Sequence, residues 1–106
     1  MENKNYVIVR GDRSGVFFGE LKERNGQEVE LRNARKLWYW DGAAAVEQLA
    51  RDGVSRPRNC KFTVTVEEMT ITDAIQIIPC TDAAQKSISG VAEWKSLRRS
   101  SASFWR

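Results

Sequence analysis

The sequence predicts an α+β fold: about six antiparallel strands in one sheet, with two short helices. Short segments of alternating apolar and polar residues recur along the chain, separated by glycine-rich or charged turns. Residues 43–51 and 82–89 instead carry short helical patterns. The connections are shorter than the dozen or more residues of a parallel crossover, so antiparallel pairing is expected.

The size and composition of the chain suit one small hydrophobic core. It has 106 residues, of which 42% are hydrophobic. We expect a single α+β domain over residues 1–96 and a mobile, basic, serine-rich tail over residues 97–106. No apolar run approaches the roughly 20 residues that span a bilayer, and the N-terminus lacks a signal-peptide pattern. A cytoplasmic protein without a membrane partner is therefore expected.

The first strands surround two turns. Residues 6–10 are apolar and β-branched, and they end at the turn residues 11–15. Residues 16–23 and 27–33 form a second pair of strands around Asn25-Gly26. These segments predict a strand, a loop and a β-hairpin.

Two registers are possible for this hairpin. A two-residue turn at Asn25-Gly26 would set Leu21 opposite Glu30 and mix apolar and charged residues on both faces. A three-residue loop, residues 24–26, sets Leu21 opposite Val29 and Lys22 opposite Glu28, and we prefer it. It places on one face Phe17, Gly19, Leu21, Val29 and Leu31, and on the other Phe18, Glu20, Lys22, Glu28, Glu30 and Arg32.

An aromatic strand and a helix follow the hairpin. In residues 36–40, alternation places Trp38 and Trp40 on one face and Leu37 and Tyr39 on the other. Asp41 can then cap a helix over residues 43–51 that ends at Gly53. The inner stripe of this helix is Val46, Leu49 and Ala50.

The second half of the chain predicts further strands and a closing helix. Residues 61–66 alternate with Phe62, Val64 and Val66 inward, and Glu67-Glu68 marks a bend before residues 69–72. Residues 73–78 suit a buried strand or a helical turn, and we take them as a strand. Pro79 interrupts it, and Thr81 caps the helix over residues 82–89, which Gly90 ends.

Composition argues against catalysis. The chain has no histidine, so Ser-His-Asp and Cys-His nucleophiles and histidine-bound zinc are excluded. Cys60 and Cys80 read as packed thiols, the carboxylates are scattered, and residues 11–15 lack the lysine and the context of a phosphate loop. We expect no enzyme activity, no catalytic residues, no metal site and no cofactor.

The positive charge is concentrated at the C-terminus. Lys and Arg number 17 and Asp and Glu 14, and Arg98, Arg99 and Arg106 lie in the last ten residues, which contain no acid. Subtracting these three arginines leaves residues 1–96 balanced at 14 against 14. Because binding to a nucleic-acid duplex needs many cations on the folded surface, nucleic acid is not the expected partner.

The residues around Trp38 contain the side-chain types that a nucleotide site needs. An aromatic plane can stack on the base, amides and carboxylates can contact the base edge and ribose, and guanidinium groups can bind phosphate. Asn33, Arg35, Lys36 and Asp41 surround the tryptophans in the sequence. Packing in the core or in an oligomer is the commoner role of such tryptophans, and it stays open. Phe18, on its charged face, fits a stacking site or a contact between protomers equally well.

A basic loop follows the first predicted helix. Residues 51–61 contain Arg51, Arg56, Arg58 and Lys61 against Asp52 alone, and the loop ends at Asn59-Cys60-Lys61-Phe62. Most short basic loops are only solvated. The alternative is a site for a small anion, because Pro57 stiffens the loop.

The chain resembles a family of small phage and prophage proteins catalogued as a domain of unknown function, which we associate with the first type of Thoeris anti-defence protein. The resemblance spans roughly residues 5–95. It is carried by Gly15-Val16-Phe17-Phe18-Gly19, Asn33-Ala34-Arg35-Lys36-Leu37-Trp38-Tyr39-Trp40-Asp41-Gly42-Ala43, Gln48-Leu49-Ala50, Asn59-Cys60-Lys61-Phe62 and Ile77-Ile78-Pro79-Cys80-Thr81.

The resemblance implies a sponge that binds glycocyclic ADP-ribose in the infected bacterial cytoplasm and releases it unhydrolysed. Some members resemble hexamers that hold cyclic trinucleotides of the CBASS defence at separate sites. A domain of this size has difficulty enclosing such a ligand alone, so a homo-oligomer, dimer or hexamer, with sites between protomers is expected. The expected ligand-binding residues, chosen by side-chain chemistry within the matching motifs, are Phe18, Asn33, Arg35, Trp38, Asp41, Arg56, Arg58, Asn59 and Lys61.

Two other functions remain open on the sequence. A nucleic-acid-binding module would use Trp38, Trp40 and the basic tail. A purely structural phage protein would use its exposed aromatic residues only to build an oligomer.

Overall fold

The computed structural model describes residues 5–95, which form a six-stranded antiparallel sheet and two α-helices. The α+β class predicted from the sequence is confirmed. None of the helices in this range is long and apolar enough to cross a membrane. The elements in chain order are β1 (Tyr6–Gly11), β2 (Val16–Asn25), β3 (Glu28–Tyr39), α1 (Val46–Asp52), a 3-10 turn (Pro57–Asn59), β4 (Lys61–Phe62), β5 (Val66–Ile71), β6 (Ala74–Pro79) and α2 (Asp82–Ser89).

The sheet curls into a partly open barrel. Its central order is β6-β1-β2-β3, and the outer edge of β3 pairs with both β5 and β4. Although β5 and β6 lie at opposite ends of this order, only Thr72 and Asp73 join them. Three Cα steps span at most about 11 Å, so the two ends of the sheet must approach each other. The backbone N–H of Ala74 donates to the carbonyl of Gln27 at 3.0 Å and ties β6 to the tip of the β2-β3 hairpin.

Each face of the sheet carries a buried apolar cluster. One apolar cluster contains Val7, Val9, Phe17, Val29, Leu31, Ala34, Ile71 and Ala74. The other combines sheet residues with α1 and α2, and it includes Ile8, Phe18, Leu37, Leu49, Phe62 and Ile88. Adjacent residues of β1 and β2 pack into different clusters, so both faces of these strands are apolar. The strands therefore read as continuous apolar runs, whereas a strand buried on one face only would alternate apolar and polar residues.

The hairpin register differs from the preferred prediction. Asn25 pairs with Glu28 and Leu21 with Leu31, so the loop consists of Gly26 and Gln27 alone. Gly26 has a φ of 64°, which suits the first position of a two-residue hairpin turn. A register shift between Leu21 and Glu23 brings the apolar residues together without the longer loop.

β3 is one long strand where the sequence predicted two, and a bulge divides it. Between the pairs Phe18–Arg35 and Glu20–Arg32, β2 advances two residues and β3 advances three. The extra residue lies at Asn33, whose φ is 49°. Leu31 and Ala34 therefore contribute to the same cluster although they are three residues apart. Beyond the bulge, even-numbered residues of β3 face the side that odd-numbered residues face before it.

A second irregularity separates Trp38 from Trp40. Leu37 pairs with Phe62 and Tyr39 with Lys61, which leaves Trp38 as an extra residue without a partner on β4. Leu37 is buried, Trp38 and Tyr39 are exposed, and Trp40 packs against the helix-covered cluster. The prediction that both tryptophans share a face is wrong, because the strand does not alternate regularly here.

The two helices follow the sequence pattern except at one end. α1 buries Val46, Leu49 and Ala50 and ends at Gly53, as predicted. It starts later than predicted, at Val46, and Ala45 occupies the cap position with no side-chain hydrogen bond, so the capping role predicted for Asp41 is wrong. In α2, Thr81 caps as predicted: its Oγ1 accepts from the Ala84 N–H at 3.0 Å.

Residues 61–79 are organised differently from the prediction over their first half. β4 ends at Phe62, β5 begins at Val66, and Glu67 and Glu68 lie within β5 where a bend was predicted. Val64 and Val66 are each 38% exposed, so only Phe62 of the predicted inward set is buried. Thr63 instead contacts β3: its Oγ1 accepts a hydrogen bond from the Lys36 N–H at 2.8 Å. The strand prediction for the next segment is confirmed by β6, whose last residue is Pro79.

Candidate functional site

Two exposed tryptophans and a lysine form a surface cluster that we call the aromatic platform, consisting of Trp38, Lys61 and Trp94. The indole rings of Trp38 and Trp94 stack with centroids 5.0 Å apart and planes 6° apart. They remain 56% and 47% exposed, respectively. Lys61 Nζ lies 5.5 Å from the centroid of each ring. Large apolar groups exposed together in this way are typical of binding surfaces.

Backbone pairing brings the three members of the platform together. Trp38 protrudes because it is the unpaired residue between Leu37 and Tyr39 of β3. Lys61 pairs with Tyr39, and the next residue of β4, Phe62, accepts a hydrogen bond from the Trp94 N–H at 2.8 Å. A parallel bridge between Phe62 and Glu93 holds the same segment.

The platform combines aromatic faces with a positive charge. The ring faces carry partial negative charge and attract the Lys61 ammonium, an interaction worth about 0.5–1 kcal/mol at an exposed site. Glu93, the residue before Trp94, forms an ion pair with Lys95 Nζ at 3.6 Å. The platform can therefore stack on a planar ring and offer an ammonium group to an anion.

The loop before β4 is organised around Asp41. Asn59 Nδ2 donates to Asp41 Oδ2 at 3.0 Å, and Arg56 Nη1 lies 3.8 Å from Asp41 Oδ1. The Asp41 N–H also donates to Cys60 Sγ at 3.5 Å. Asp41 thus connects the end of β3 to the basic loop, and its carboxylate is occupied by neighbours of its own chain. The exposed ion pair itself contributes little to stability.

The basic loop has one arginine without an ion-pair partner. Over residues 5–95, no carboxylate lies within 4.0 Å of the Arg58 guanidinium, and the side chain is exposed. A surface hollow of about 350 Å³ is lined by Ser55, Arg56, Pro57, Arg58 and Asn59. A small anion could contact Arg58 here and Lys61 close by in the chain.

Two predicted site residues are buried, so the expectation that they face a ligand is wrong for this protomer. Phe18 is 2% exposed and stacks on Tyr6 with ring centroids 5.1 Å apart. The charged face assigned to Phe18 is in fact covered by the helices. Arg35 is also 2% exposed, and its guanidinium hydrogen-bonds backbone carbonyls.

A third predicted residue, Asn33, is exposed but lies apart from the platform. It occupies the bulge of β3, five residues before Trp38, which corresponds to roughly 15 Å along a strand. Of the nine predicted residues, the structure places Trp38 and Lys61 in the platform and Arg56, Arg58 and Asn59 in the adjoining loop, with Asp41 bonded to that loop from the end of β3.

Trp94 is the site residue that sequence reasoning missed. It follows Gly90, the end of α2, in a segment with no periodic pattern. The only signal in the sequence was the high tryptophan content, four residues in 106. That content does not indicate which strand Trp94 contacts, because the contact depends on tertiary packing.

A larger cavity lies elsewhere on the molecule. It measures about 440 Å³ and is lined by Arg24, Gly26, Gln27, Ala74, Ile75, Gln76 and Ile77. It contains no aromatic side chain and one charged group, Arg24. The platform is the better candidate for a nucleotide because it supplies both stacking and charge.

The cysteines and acids of the described residues form no reactive cluster. Cys60 and Cys80 are free, and burial raises the pKa of the Cys80 thiol to about 12, so it stays protonated at neutral pH. Within residues 5–95, no group of three or more cysteine and acidic side chains is arranged to hold a metal ion.

Comparison with known proteins identifies a family but no characterised relative. Residues 4–88 match the model of a family described as a domain of unknown function (DUF6948). No curated protein and no solved structure matches the chain.

Proposed function

The chain belongs to the DUF6948 family, and we propose that it is a phage anti-defence protein that binds and sequesters a cyclic nucleotide immune signal without degrading it. The proposed signal is glycocyclic ADP-ribose, with CBASS cyclic trinucleotides as further ligands. The proposal follows the resemblance to Thoeris anti-defence sponges, and its support in the structure is the exposed platform.

The observation that carries the proposal is the exposed, parallel pair of Trp38 and Trp94 with Lys61 beside both rings. A nucleotide base can stack on an indole face, which contributes about 1–3 kcal/mol per base. Its phosphates can contact Lys61 and Arg58, and charge-assisted hydrogen bonds contribute about 1.5–3 kcal/mol each. Micromolar to nanomolar capture requires roughly −8 to −12 kcal/mol in total.

The openness of the platform favours a homo-oligomer. An exposed cluster of this kind contacts only one side of a ligand, whereas tight small-molecule sites enclose most of the ligand surface. A second protomer can supply the missing wall, so we propose a dimer or a hexamer with the ligand held near the contact between protomers. Phe18 and Arg35, both buried, do not belong to that wall.

Sequestration needs affinity and no chemical step. The sequence contains no histidine, the side chain most often used for proton transfer near neutral pH, and the arginine and lysine side chains of the loop and platform can bind anions by charge-assisted hydrogen bonds. The bound signal should therefore leave the protein with its mass unchanged.

Calorimetric titration with glycocyclic ADP-ribose tests the site. Trp38→Ala should weaken binding by about five- to 160-fold, because about 1–3 kcal/mol of stacking is lost. Tyr39→Ala is the matched control, since Tyr39 is the adjacent exposed aromatic residue but is not part of the platform. Equal affinity of wild type and Trp38→Ala would exclude the platform as the site.

A second candidate function, single-stranded nucleic-acid binding, is favoured by the same exposed indole pair. Affinity for oligonucleotides should then fall steeply with salt, and a titration at two salt concentrations separates the two functions. A purely structural protein would show no thermal shift with any nucleotide. The basic tail that the sequence assigned to the nucleic-acid function lies outside the described residues.

A further inference from the structure

We propose that Arg35 is a positioning residue that keeps Trp38, Lys61 and Trp94 assembled before any ligand binds. Its significance for ligand affinity rests on the proposed function, whereas its effect on the ligand-free protein does not.

Arg35 contacts backbone groups from two separate segments. Its Nε donates to the carbonyl of Thr63 at 3.0 Å, and Nη2 donates to the carbonyl of Phe62 at 3.4 Å. Nη1 donates to the carbonyls of Ile88 at 3.1 Å and Val91 at 2.9 Å. The guanidinium also lies over the Phe62 ring, 5.4 Å from its centroid.

These carbonyls neighbour the members of the platform. Phe62 and Thr63 directly follow Lys61, Val91 precedes Trp94 by three residues, and Arg35 precedes Trp38 by three residues on β3. Among residues 5–95, no other side chain hydrogen-bonds both the β4 segment and the end of α2. Arg35 therefore joins the three pieces of chain that carry the platform.

The burial of Arg35 means that only an arginine can fill this role. Desolvation lowers the pKa of Arg35 while Glu93 raises it, and an arginine side chain stays charged at neutral pH. Within the described chain, no carboxylate lies within 4.0 Å of the guanidinium, so its charge is stabilised by carbonyl dipoles, including that of Ile88 in the last turn of α2. Lysine offers one ammonium on a flexible stem and cannot bond all four carbonyls in this fixed geometry.

The bulge at Asn33 explains why an arginine is buried here. Without the extra residue, Arg35 would share a face with Leu31; with it, Arg35 pairs with Phe18 on the helix-covered side. The same bulge therefore moves Arg35 from the face of Leu31 to the helix-covered face, where its guanidinium reaches the carbonyls of Phe62, Thr63, Ile88 and Val91.

Arg35→Lys tests the role, with Arg32→Lys as the matched control on the exposed face of the same strand. The first readout is the exciton couplet of stacked indoles in far-ultraviolet circular dichroism, assigned by its loss in Trp38→Phe. Arg35→Lys should retain the helix and strand signal and lose most of the couplet, whereas Arg32→Lys should retain both. An intact couplet in folded Arg35→Lys would overturn the proposal.

The wild-type protein provides a measurement that does not depend on folding of the variant. The Arg35 Nε–H, bonded to Thr63, and the Trp94 backbone N–H, bonded to Phe62, should both exchange slowly with solvent. Rapid exchange at Arg35 Nε with the couplet intact would contradict a positioning role.

Titration with glycocyclic ADP-ribose separates this inference from the proposed function. If both hold, Arg35→Lys should bind about three- to tenfold more weakly, because the ligand must then order the platform itself. If wild type binds no nucleotide but the couplet still depends on Arg35, the proposed function fails and the positioning role stands.

Discussion

Gly19 of β2 and Ala34 of β3 lie so close that a Cβ added to Gly19 would be 3.0 Å from the Ala34 Cβ. The same added atom would lie 3.1 Å from the backbone carbonyl oxygen of Arg32. This contact faces the bulge at Asn33, where β3 contains one more residue than β2. Gly19 therefore lies opposite the bulge at a position where any larger residue requires its neighbours on β3 to move.

Gly19→Ala should therefore destabilise the protein. Accommodating a methyl group in a packed core costs about 1–3 kcal/mol when backbone must move. A shift in Tm of roughly 4–8 °C per kcal/mol is expected for a chain of this size. Thermal unfolding checks this, with Glu20→Ala on the same strand as the control. An unchanged Tm for Gly19→Ala would show that β3 can yield at the bulge.

Asn33 should tolerate glycine but not valine. Its φ of 49° lies in the left-handed region, which asparagine and glycine adopt readily and β-branched residues avoid. Asn33→Val should lower the free energy of unfolding by about 1–3 kcal/mol, and Asn33→Gly by much less. Chemical denaturation of the two variants gives both values. Equal stabilities would mean that this backbone conformation is not retained in solution.

Thr81 should contribute measurably to stability as the cap of α2. Its Oγ1 accepts from the Ala84 N–H and donates to the Arg51 carbonyl, so it also links the two helices. Thr81→Ala should cost about 1 kcal/mol, whereas Thr81→Ser keeps the hydroxyl and should cost less. Urea unfolding distinguishes them. The cap is unimportant if the alanine and serine variants have the same midpoint.

Asp73 should make part of the stability dependent on acid pH. Hydrogen bonds from the Ser14 side chain, and then from the Arg13 and Ser14 backbone, lower the pKa of its carboxyl group. Because the folded pKa is depressed, this contribution is present above the unfolded pKa of about 3.9 and is lost as pH falls through the folded pKa. Tm measured from about pH 6 downward should fall less steeply in Asp73→Asn than in wild type. Parallel curves would exclude Asp73 as a source of the acid sensitivity.

Sequence reasoning succeeded for α2 and for the buried side of α1, where local patterns decided the structure. Thr81 as a cap predicts the start of α2, and Val46, Leu49 and Ala50 predict the buried side of α1. These features depend on residues a few positions apart, so the printed sequence contains the whole signal.

It failed where one irregular residue reversed the alternation of a strand. The bulge at Asn33 places Arg35 on the buried face, where it bonds carbonyls. Because Trp38 is an extra residue with no partner on β4, Trp38 and Trp40 do not share a face. Phe18 was assigned to solvent because its strand neighbours are charged, yet α1 and α2 cover that face. Whether a second layer covers a sheet face depends on distant parts of the chain, and a period of two cannot reveal it.

The most direct test of the proposed function is mass analysis of ligand released by heat. Wild-type protein incubated with glycocyclic ADP-ribose and freed of unbound ligand should release that compound with unchanged mass after denaturation. Trp38→Ala should release far less, and Tyr39→Ala as much as wild type. A released compound of altered mass, or no released compound from wild type, would contradict the account of this protein as a sponge.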